Sequence, residues 1–178
     1  MVGSVIGRLV ALFFVLILLQ GIFLRNFALF DYALLYPYVA LILILPFGIR
    51  NMTALFMSFF LGLIVDVFYD TLGMHAAACV LMAFARIYIL KLMSKEEQAD
   101  DLTTLPSVSS RGFQWFALYA FILVSVHHVG LFALEYFNTR LFLSALLRGV
   151  ASATFTVTVI VSVQYIFGGA RKTRFRSS

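Results

Sequence analysis

Six long apolar runs follow one another along the chain, separated by short polar stretches. A transmembrane helix takes about 20 apolar residues, and most of the runs are close to that length. They are continuously apolar, whereas membrane β-strands alternate over about ten residues, so helices are favoured. The predicted spans cover residues 8–24, 33–47, 53–68, 74–92, 112–134 and 141–167.

The second run is the weakest of the six as a helix. Pro37 and Pro46 bracket it, and Pro46 with Gly48 predicts its end. Proline removes a backbone donor and crowds the preceding turn. We therefore expect a short second span, tilted or broken.

Composition supports a membrane protein. The 178 residues are 63% apolar and 12% charged, and the mean hydropathy is +1.03. A soluble domain of this size needs more polar residues to cover its surface. Six helices with short turns occupy residues 1–178, so we expect a single membrane domain of the all-α class, a bundle of about six helices.

Two features that often mark secreted proteins receive a different interpretation. The single cysteine, Cys79, lies inside an apolar run, which excludes a disulfide within one chain and favours a small core residue. The first run is longer than the apolar region of an ordinary signal peptide and has no A-x-A cleavage pattern. We interpret it as a retained first span.

Basic residues predict the orientation. With the N-terminus inside, nine Lys and Arg residues lie on the inner side and only Arg25 and Arg140 on the outer side; Arg86 and Arg148 lie within spans and are not counted. The positive-inside rule then places both termini in the cytoplasm. The inner nine are Arg8, Arg50, Lys91, Lys95, Arg111, Arg171, Lys172, Arg174 and Arg176.

Two polar regions are expected on the inner side. Residues 94–111 contain two acidic pairs, Pro106 and several serines, and we expect a solvated cytoplasmic loop; a charged face for a partner is the alternative. Residues 170–178 form a basic tail directly after the last span. We expect this tail to face anionic lipid headgroups, so the net charge of +5 does not predict nucleic acid as a partner.

Ionisable residues within the spans mark the candidate site, because charges inside a bilayer are costly and face the protein interior or a water-filled cavity. Asp66 and Asp70 close the third span and share a face if one helix continues through both. His128 and Glu135, seven residues apart, share a face of the fifth span. We expect one cluster in the outer half of the membrane, formed by Asp66, Asp70, His75, His127, His128, Glu135 and Arg148.

Arg148 lies about two turns into the sixth span, where an unpaired guanidinium is unfavourable. We predict that it pairs with Asp66 or Glu135. Three roles stay open for the cluster: polar contacts that hold helices in register, a ligand or ion pocket, and a contact face for a partner. Arg86, deeper toward the inside on the fourth span, is interpreted as a structural residue that could reach the cytoplasmic headgroups.

Signatures of metal binding and catalysis are weak or missing in the sequence. His127 and His128 are adjacent, so on a helix their side chains point about 100° apart and do not form the usual same-face ligand pair. The sequence has no G-x-S-x-G, no phosphate-binding glycine loop and no cysteine near a base. We therefore predict a protein that is not an enzyme and holds no metal or cofactor.

Small residues four apart favour close helix packing. The pairs with this spacing are Gly3 with Gly7, and Ala145 with Gly149. The second pair brackets Arg148, and Gly62, four before Asp66, allows another helix to approach the same face of the third span. The aromatic residues expected at the membrane interface are Trp115, Tyr119, Tyr36 and Tyr38.

Residues 59–86, FFLGLIVDVFYDTLGMHAAACVLMAFAR, resemble the family of rod shape-determining proteins MreD, especially members from Bacteroidetes. That family has a third span of the form G-L-x-x-D, then a turn of small residues and an aliphatic fourth span. Here Gly62, Leu63 and Asp66 match the span, and Gly73 lies in the turn. Residues 27–48 and the sequence VHHVGLFALEYF in the fifth span also fit the pattern, so the resemblance covers nearly the whole chain.

The resemblance implies a non-enzymatic subunit of the complex that inserts lateral peptidoglycan in rod-shaped cells, located in the bacterial inner membrane. The implied partners are MreC, RodA, the class B penicillin-binding transpeptidase and the MreB filament, and binding the membrane segment of MreC would help to position the synthases. The family's fold is similar to that of the S-components of energy-coupling-factor transporters, which bind substrate. Gly62, Asp66 and Gly73 are the motif positions carried over.

Two functions follow: a scaffold subunit, or an S-component-like binder of a small molecule. A scaffold should have the space between the third, fifth and sixth spans closed by paired side chains. It should also present a lipid-exposed groove of small residues to a foreign helix. A binder should have an open cavity of several hundred Å³ that is reachable from outside.

Overall fold

Long helices dominate the structure, a computed structural model that describes residues 2–25, 27–30, 32–93, 104–136 and 142–172. The helices are α1 (Val2–Leu18), α2 (Ala40–Leu43), α3 (Asn51–Tyr69), α4 (Met74–Met93), α5 (Val108–Arg111), α6 (Phe113–Glu135) and α7 (Phe142–Lys172). α1 continues as a π-helical stretch over Leu19–Leu24, and a 3-10 turn over Pro37–Val39 leads into α2. Strands β1 (Ala28–Leu29) and β2 (Ala33–Leu34) pair as a short antiparallel hairpin.

Four of the described helices have the length and apolar character to cross a membrane. They are α3, α4, α6 and residues 143–166 of α7. Leu9–Leu24 forms a shorter apolar helix. These helices are consistent with the predicted all-α membrane protein, and four of the predicted spans are helices of sufficient length.

The predicted second span is not a continuous helix. Residues 33–47, here called the broken segment, contain β2, the 3-10 turn and only the four residues of α2. Pro37 begins the turn and Pro46 follows α2, and each lacks the backbone N–H that a longer helix would need. The segment is nevertheless buried, and Tyr38, Val39 and Leu43 are fully enclosed.

The broken segment runs lengthwise along the bundle. Near its start, Leu34 N–H donates to Ser152 Oγ on α7 at 3.0 Å. At its far end, Phe47 N–H donates to Thr104 O at 3.1 Å, just before α5. The chain thus passes from the end of the bundle where α3 finishes to the end where α3 begins.

Arg86 is buried, at 3% exposure, and does not extend toward the headgroups. Its Nη2 donates to the carbonyls of Leu45 and Pro46, and its Nε donates to the Tyr119 hydroxyl at 2.9 Å. Tyr119 in turn donates to Leu43 O at 3.0 Å. The short α2 leaves these carbonyls without helical partners, so buried donors are needed where they lie.

The second half of the predicted solvated loop packs against the bundle instead. Pro106 is buried, and Val108 N–H donates to Gln164 Oε1 on α7 at 3.0 Å. The Arg111 guanidinium lies 4.5 Å from the centre of the Phe47 ring, a cation–π distance. Residues 94–103 of the loop and 173–178 of the basic tail lie outside the described residues.

Candidate functional site

Asp66, the carboxylate of the G-L-x-x-D sequence, caps the start of α4. Its Oδ1 accepts the backbone N–H of His75 at 2.9 Å, and its Oδ2 accepts that of Ala76 at 3.0 Å. The Thr71 hydroxyl also donates to Oδ1. Asp66 is 3% exposed, so this carboxylate is placed inside the bundle at the positive end of the α4 dipole.

Two glycines allow Asp66 to reach α4. A Cβ at Gly62 would lie 2.5 Å from Ala76 Cα, so only glycine permits this close approach of α3 and α4. Gly73 has φ +82 in the turn between the helices, a conformation that side chains disfavour. The three motif positions therefore build one feature, the α3–α4 hairpin.

Asp70 does not share a face with Asp66, because no helix continues through both residues. α3 ends at Tyr69, and Asp70 takes the left-handed conformation with φ 55. Its exposed carboxylate pairs with Arg25 at the end of the first helix. The helix break turns this side chain outward, where an ion pair contributes little.

His75 lies against Asp66 and is 2% exposed. Its Nδ1 is 3.1 Å from Asp66 Oδ1 and 3.0 Å from Thr71 Oγ1. Its Nε2 is buried and has no hydrogen-bond partner among the described residues. The arrangement resembles a carboxylate–histidine pair, in which the carboxylate binds one ring nitrogen and the other nitrogen is free to bind another group.

His127 and His128 occupy the middle of the bundle and are fully buried. His127 Nε2 lies 2.9 Å from the Tyr38 hydroxyl, and the two Nδ1 atoms are 3.4 Å apart. His128 Nδ1 lies 2.9 Å from the Val124 carbonyl, which requires a proton on that nitrogen. His128 Nε2 then accepts from Thr156 Oγ1 at 3.2 Å, and Thr156 itself accepts the Tyr36 N–H.

The tyrosines of the broken segment take part in this network instead of forming an interface belt. Tyr36 is 4% exposed and Tyr38 is fully enclosed, as is Tyr119 on α6. Trp115 is half-buried and donates to Met93 O at 3.2 Å. Burial follows because each hydroxyl or ring packs on polar groups that the irregular backbone brings inside.

Arg148 pairs with neither Asp66 nor Glu135, so that prediction is wrong. Its Nε donates to Tyr32 O at 3.1 Å, and its Nη1 donates to the Tyr136 hydroxyl. Asp66 is occupied by donors of its own hairpin. Glu135 is the last residue of α6 and is exposed, whereas His128 on the same helix is buried in the core.

The structure brings together only part of the predicted cluster. His75, beside Asp66 on the α3–α4 hairpin, and His127 and His128 on α6 all contact the Tyr36 ring. Outside this group lie Asp70, Glu135 and Arg148. Among the described residues, no three His, Cys, Asp or Glu side chains form a group that could hold a metal ion.

Of the pairs predicted for close packing, one does so. A Cβ at Gly149 would lie 3.2 Å from Val129 Cα, so α6 and α7 are close there, and Ala145 is buried on the same helix. Gly7 faces open space within the described residues, and the surroundings of Gly3 lie outside them. Cys79 is buried beside the Tyr38 hydroxyl.

A groove of about 950 Å³ runs between α3 and α4 on the outside of the bundle. Its lining combines the small residues Gly73, Ala76 and Ala77 with larger apolar side chains, of which Val67 is 74% exposed. The lining includes Leu63, Asp66, Gly73, Ala76, Ala77 and Val80. A second cavity, of about 570 Å³, lies between α1, the broken segment and α3 and is almost wholly apolar. Neither of these two cavities is lined by His127, His128 or Arg148.

Comparison with protein-family models, with curated proteins and with solved structures gives no match.

Sequence reasoning missed three polar residues that complete the networks. Ser152 and Thr156 follow Arg148 at intervals of four, so the three form a polar stripe on one face of α7 that the spacing could have revealed. Gln20 is a single amide in an apolar run. It is 1% exposed and donates to Leu35 O and to the Tyr69 hydroxyl.

Proposed function

We propose that the chain is a non-enzymatic scaffold subunit of the complex that builds the lateral cell wall of rod-shaped bacteria. In this proposal it binds the membrane segment of MreC and helps to position RodA and the class B transpeptidase, with the MreB filament on the cytoplasmic side. The resemblance of residues 59–86 to the MreD family suggests this role, and the comparisons neither add to it nor oppose it.

The groove between α3 and α4 is the observation that carries the proposal. The motif residues Gly62, Asp66 and Gly73 all belong to the hairpin that forms it. Gly73, Ala76 and Ala77 in its lining are small, and small residues let another helix approach closely in a membrane, where packing replaces the hydrophobic effect as the driving force. In contrast, His127 and His128 in the core contact Tyr38, Thr156 and the Val124 carbonyl, as expected of a scaffold.

The topology belongs to the same proposal. The first helix, the broken segment and the four long helices would give six crossings, with both termini on the cytoplasmic side of the inner membrane. The distribution of Lys and Arg supports this orientation. Arg25 and Asp70 would then lie at the outer surface, and the α3 N-terminus at the inner surface.

A small-molecule binder similar to an S-component is the second candidate. Two buried acceptors favour it, because His75 Nε2 and Gln20 Oε1 have no partner among the described residues. Both belong to the end of the bundle that would face outward. A ligand that supplies donors there would make this end a binding site.

Purification of the tagged chain from its native host in mild detergent, with mass spectrometry of the co-purifying proteins, tests both candidates. We expect MreC, RodA or the transpeptidase to be recovered. Recovery of ATPase subunits and a transporter coupling protein would instead support the small-molecule binder and contradict the scaffold role.

A matched pair of variants tests the groove itself. Ala77→Phe fills the groove from an exposed position on α4, whereas Ser162→Phe adds the same ring to an exposed position on α7. We expect Ala77→Phe alone to lose the partners. Equal recovery with both variants would show that the partner binds elsewhere.

A further inference from the structure

Two buried acceptors near the Asp70 end of the bundle lack donors. His75 Nε2 and Gln20 Oε1 have no hydrogen-bond partner among the described residues, although their side chains are almost completely enclosed at 2% and 1% exposure. Buried polar atoms in proteins are nearly always satisfied by protein or by ordered water. Two such atoms in one region therefore each require a hydrogen-bond donor.

The bonds around His75 define what its Nε2 requires. Both groups beside Nδ1 are acceptors, since Asp66 is a carboxylate and Thr71 gives its own proton to Asp66. Nδ1 therefore carries the ring proton, and Nε2 of the neutral ring is a bare acceptor. Its partner must be a donor.

The bonds around Gln20 lead to the same requirement. Its Nε2 donates to Leu35 O at 3.2 Å and to the Tyr69 hydroxyl at 2.6 Å. Reversal of the amide would place an oxygen against the Leu35 carbonyl, so the orientation is determined by this contact. The oxygen that remains also needs a donor.

Both acceptors adjoin one group of aromatic rings. Gln20 contacts the hydroxyl of Tyr69, and the His75 ring centre is 4.8 Å from the Tyr69 ring centre. Tyr36 closes the group, at 5.9 Å from Tyr69 and 5.7 Å from His75. Tyr69 is only half-buried, and it precedes Asp70, which is exposed with Arg25 at this end of the bundle.

We infer that ordered water binds beside Tyr36, Tyr69 and His75 and donates to His75 Nε2 and Gln20 Oε1. Water fits because each buried molecule makes about three hydrogen bonds to groups that otherwise lack partners. It also fits either charge state of His75, since water can accept as well as donate. The hydrated site does not depend on the proposed scaffold role.

X-ray hydroxyl-radical footprinting of the full chain in nanodiscs, with ¹⁸O-labelled water, tests this inference. Radicals formed from bound water oxidise side chains beside it even when bulk solvent does not reach them. Tyr36 and Tyr119 are a matched pair, because both are buried tyrosines and the Tyr119 hydroxyl has protein partners. We expect Tyr36 to incorporate ¹⁸O several-fold faster than Tyr119.

Equal protection of Tyr36 and Tyr119 in the wild-type chain would overturn the inference without any variant. In Gln20→Leu with His75→Leu, the Tyr36 rate should fall to that of Tyr119, while an unchanged Tyr119 rate reports that the core is intact. Native mass spectrometry adds a second readout. A small amine or other organic donor that is retained by the wild type and lost in the double variant would overturn water as the occupant.

Discussion

The α3–α4 turn and the broken segment meet the same requirement in different ways. Both bring backbone polar groups into an apolar bundle, where water does not satisfy them. At the turn, the partner is close in sequence, since Asp66 accepts N–H groups nine and ten residues later. In the broken segment the partners are distant, and Tyr36 N–H reaches Thr156, 120 residues away.

This difference separates a local device from one that needs the assembled bundle. The Asp66 cap can form as soon as α3 and α4 come together, because the loop that it closes is short. The broken segment depends on Arg86 from α4, Tyr119 from α6 and Thr156 from α7 at once. We therefore expect substitutions at the distant partners to weaken the whole bundle, and substitutions at Asp66 to act first on the start of α4.

The largest effect is expected from Arg86→Met. The substitution removes the donors to Leu45 O and Pro46 O; it leaves Leu45 O buried without a partner, whereas Pro46 O keeps the Ile49 N–H. Hydrogen bonds to charged groups contribute about 1.5–3 kcal/mol each, so we expect a loss of about 3 kcal/mol in the free energy of unfolding. Denaturant unfolding in mixed micelles measures it.

Arg25→Met is the control for this prediction, because Arg25 is exposed and its ion pair with Asp70 lies at the surface. Its expected cost is below about 0.5 kcal/mol. Similar stabilities for the two variants would mean that the broken segment does not rely on its distant partner.

Local features were more predictable from the sequence than distant ones. The continuous apolar runs predict α3, α4, α6 and α7, and two prolines predict the weakness of the second span. The four-residue spacing of Gly62 and Asp66 places both on the α4 side of α3. In each case the information lies within a few residues of the feature that it determines.

The distant partners could not be predicted in this way. The sequence suggested the headgroups as the partner of Arg86 and a carboxylate as the partner of Arg148. Both instead donate to backbone carbonyls outside the regular helices. A sequence shows that a charge is inside a span, and it does not show which backbone groups will be left open nearby. Tyr36 and Tyr38 were assigned to the interface for the same reason.

Asp66→Ala is expected to have an intermediate effect, which acts on the cap at the start of α4. Its carboxylate accepts the first N–H groups of α4 at His75 and Ala76. Loss of such a cap costs about 0.5–2 kcal/mol, and burial places this case at about 2 kcal/mol. Hydrogen exchange should rise at the first turn of α4 before it rises elsewhere. Asp70→Ala, at an exposed site four residues later, should leave that turn protected; equal exchange in both variants would contradict the capping role.

The smallest effect is expected from Thr156→Val, which tests a single distant contact. The Thr156 hydroxyl accepts the Tyr36 N–H and donates to His128 Nε2, so an isosteric valine removes two neutral hydrogen bonds and leaves Tyr36 N–H unpaired. We expect a loss of about 1–2 kcal/mol in the free energy of unfolding. Thr158→Val is the matched control, because Thr158 is exposed and donates only to Thr154 O on its own helix. If the two valines cost the same, the distant contact adds no stability beyond helix propensity, and the contrast between the turn and the broken segment would have to rest on Arg86 and Tyr119 alone.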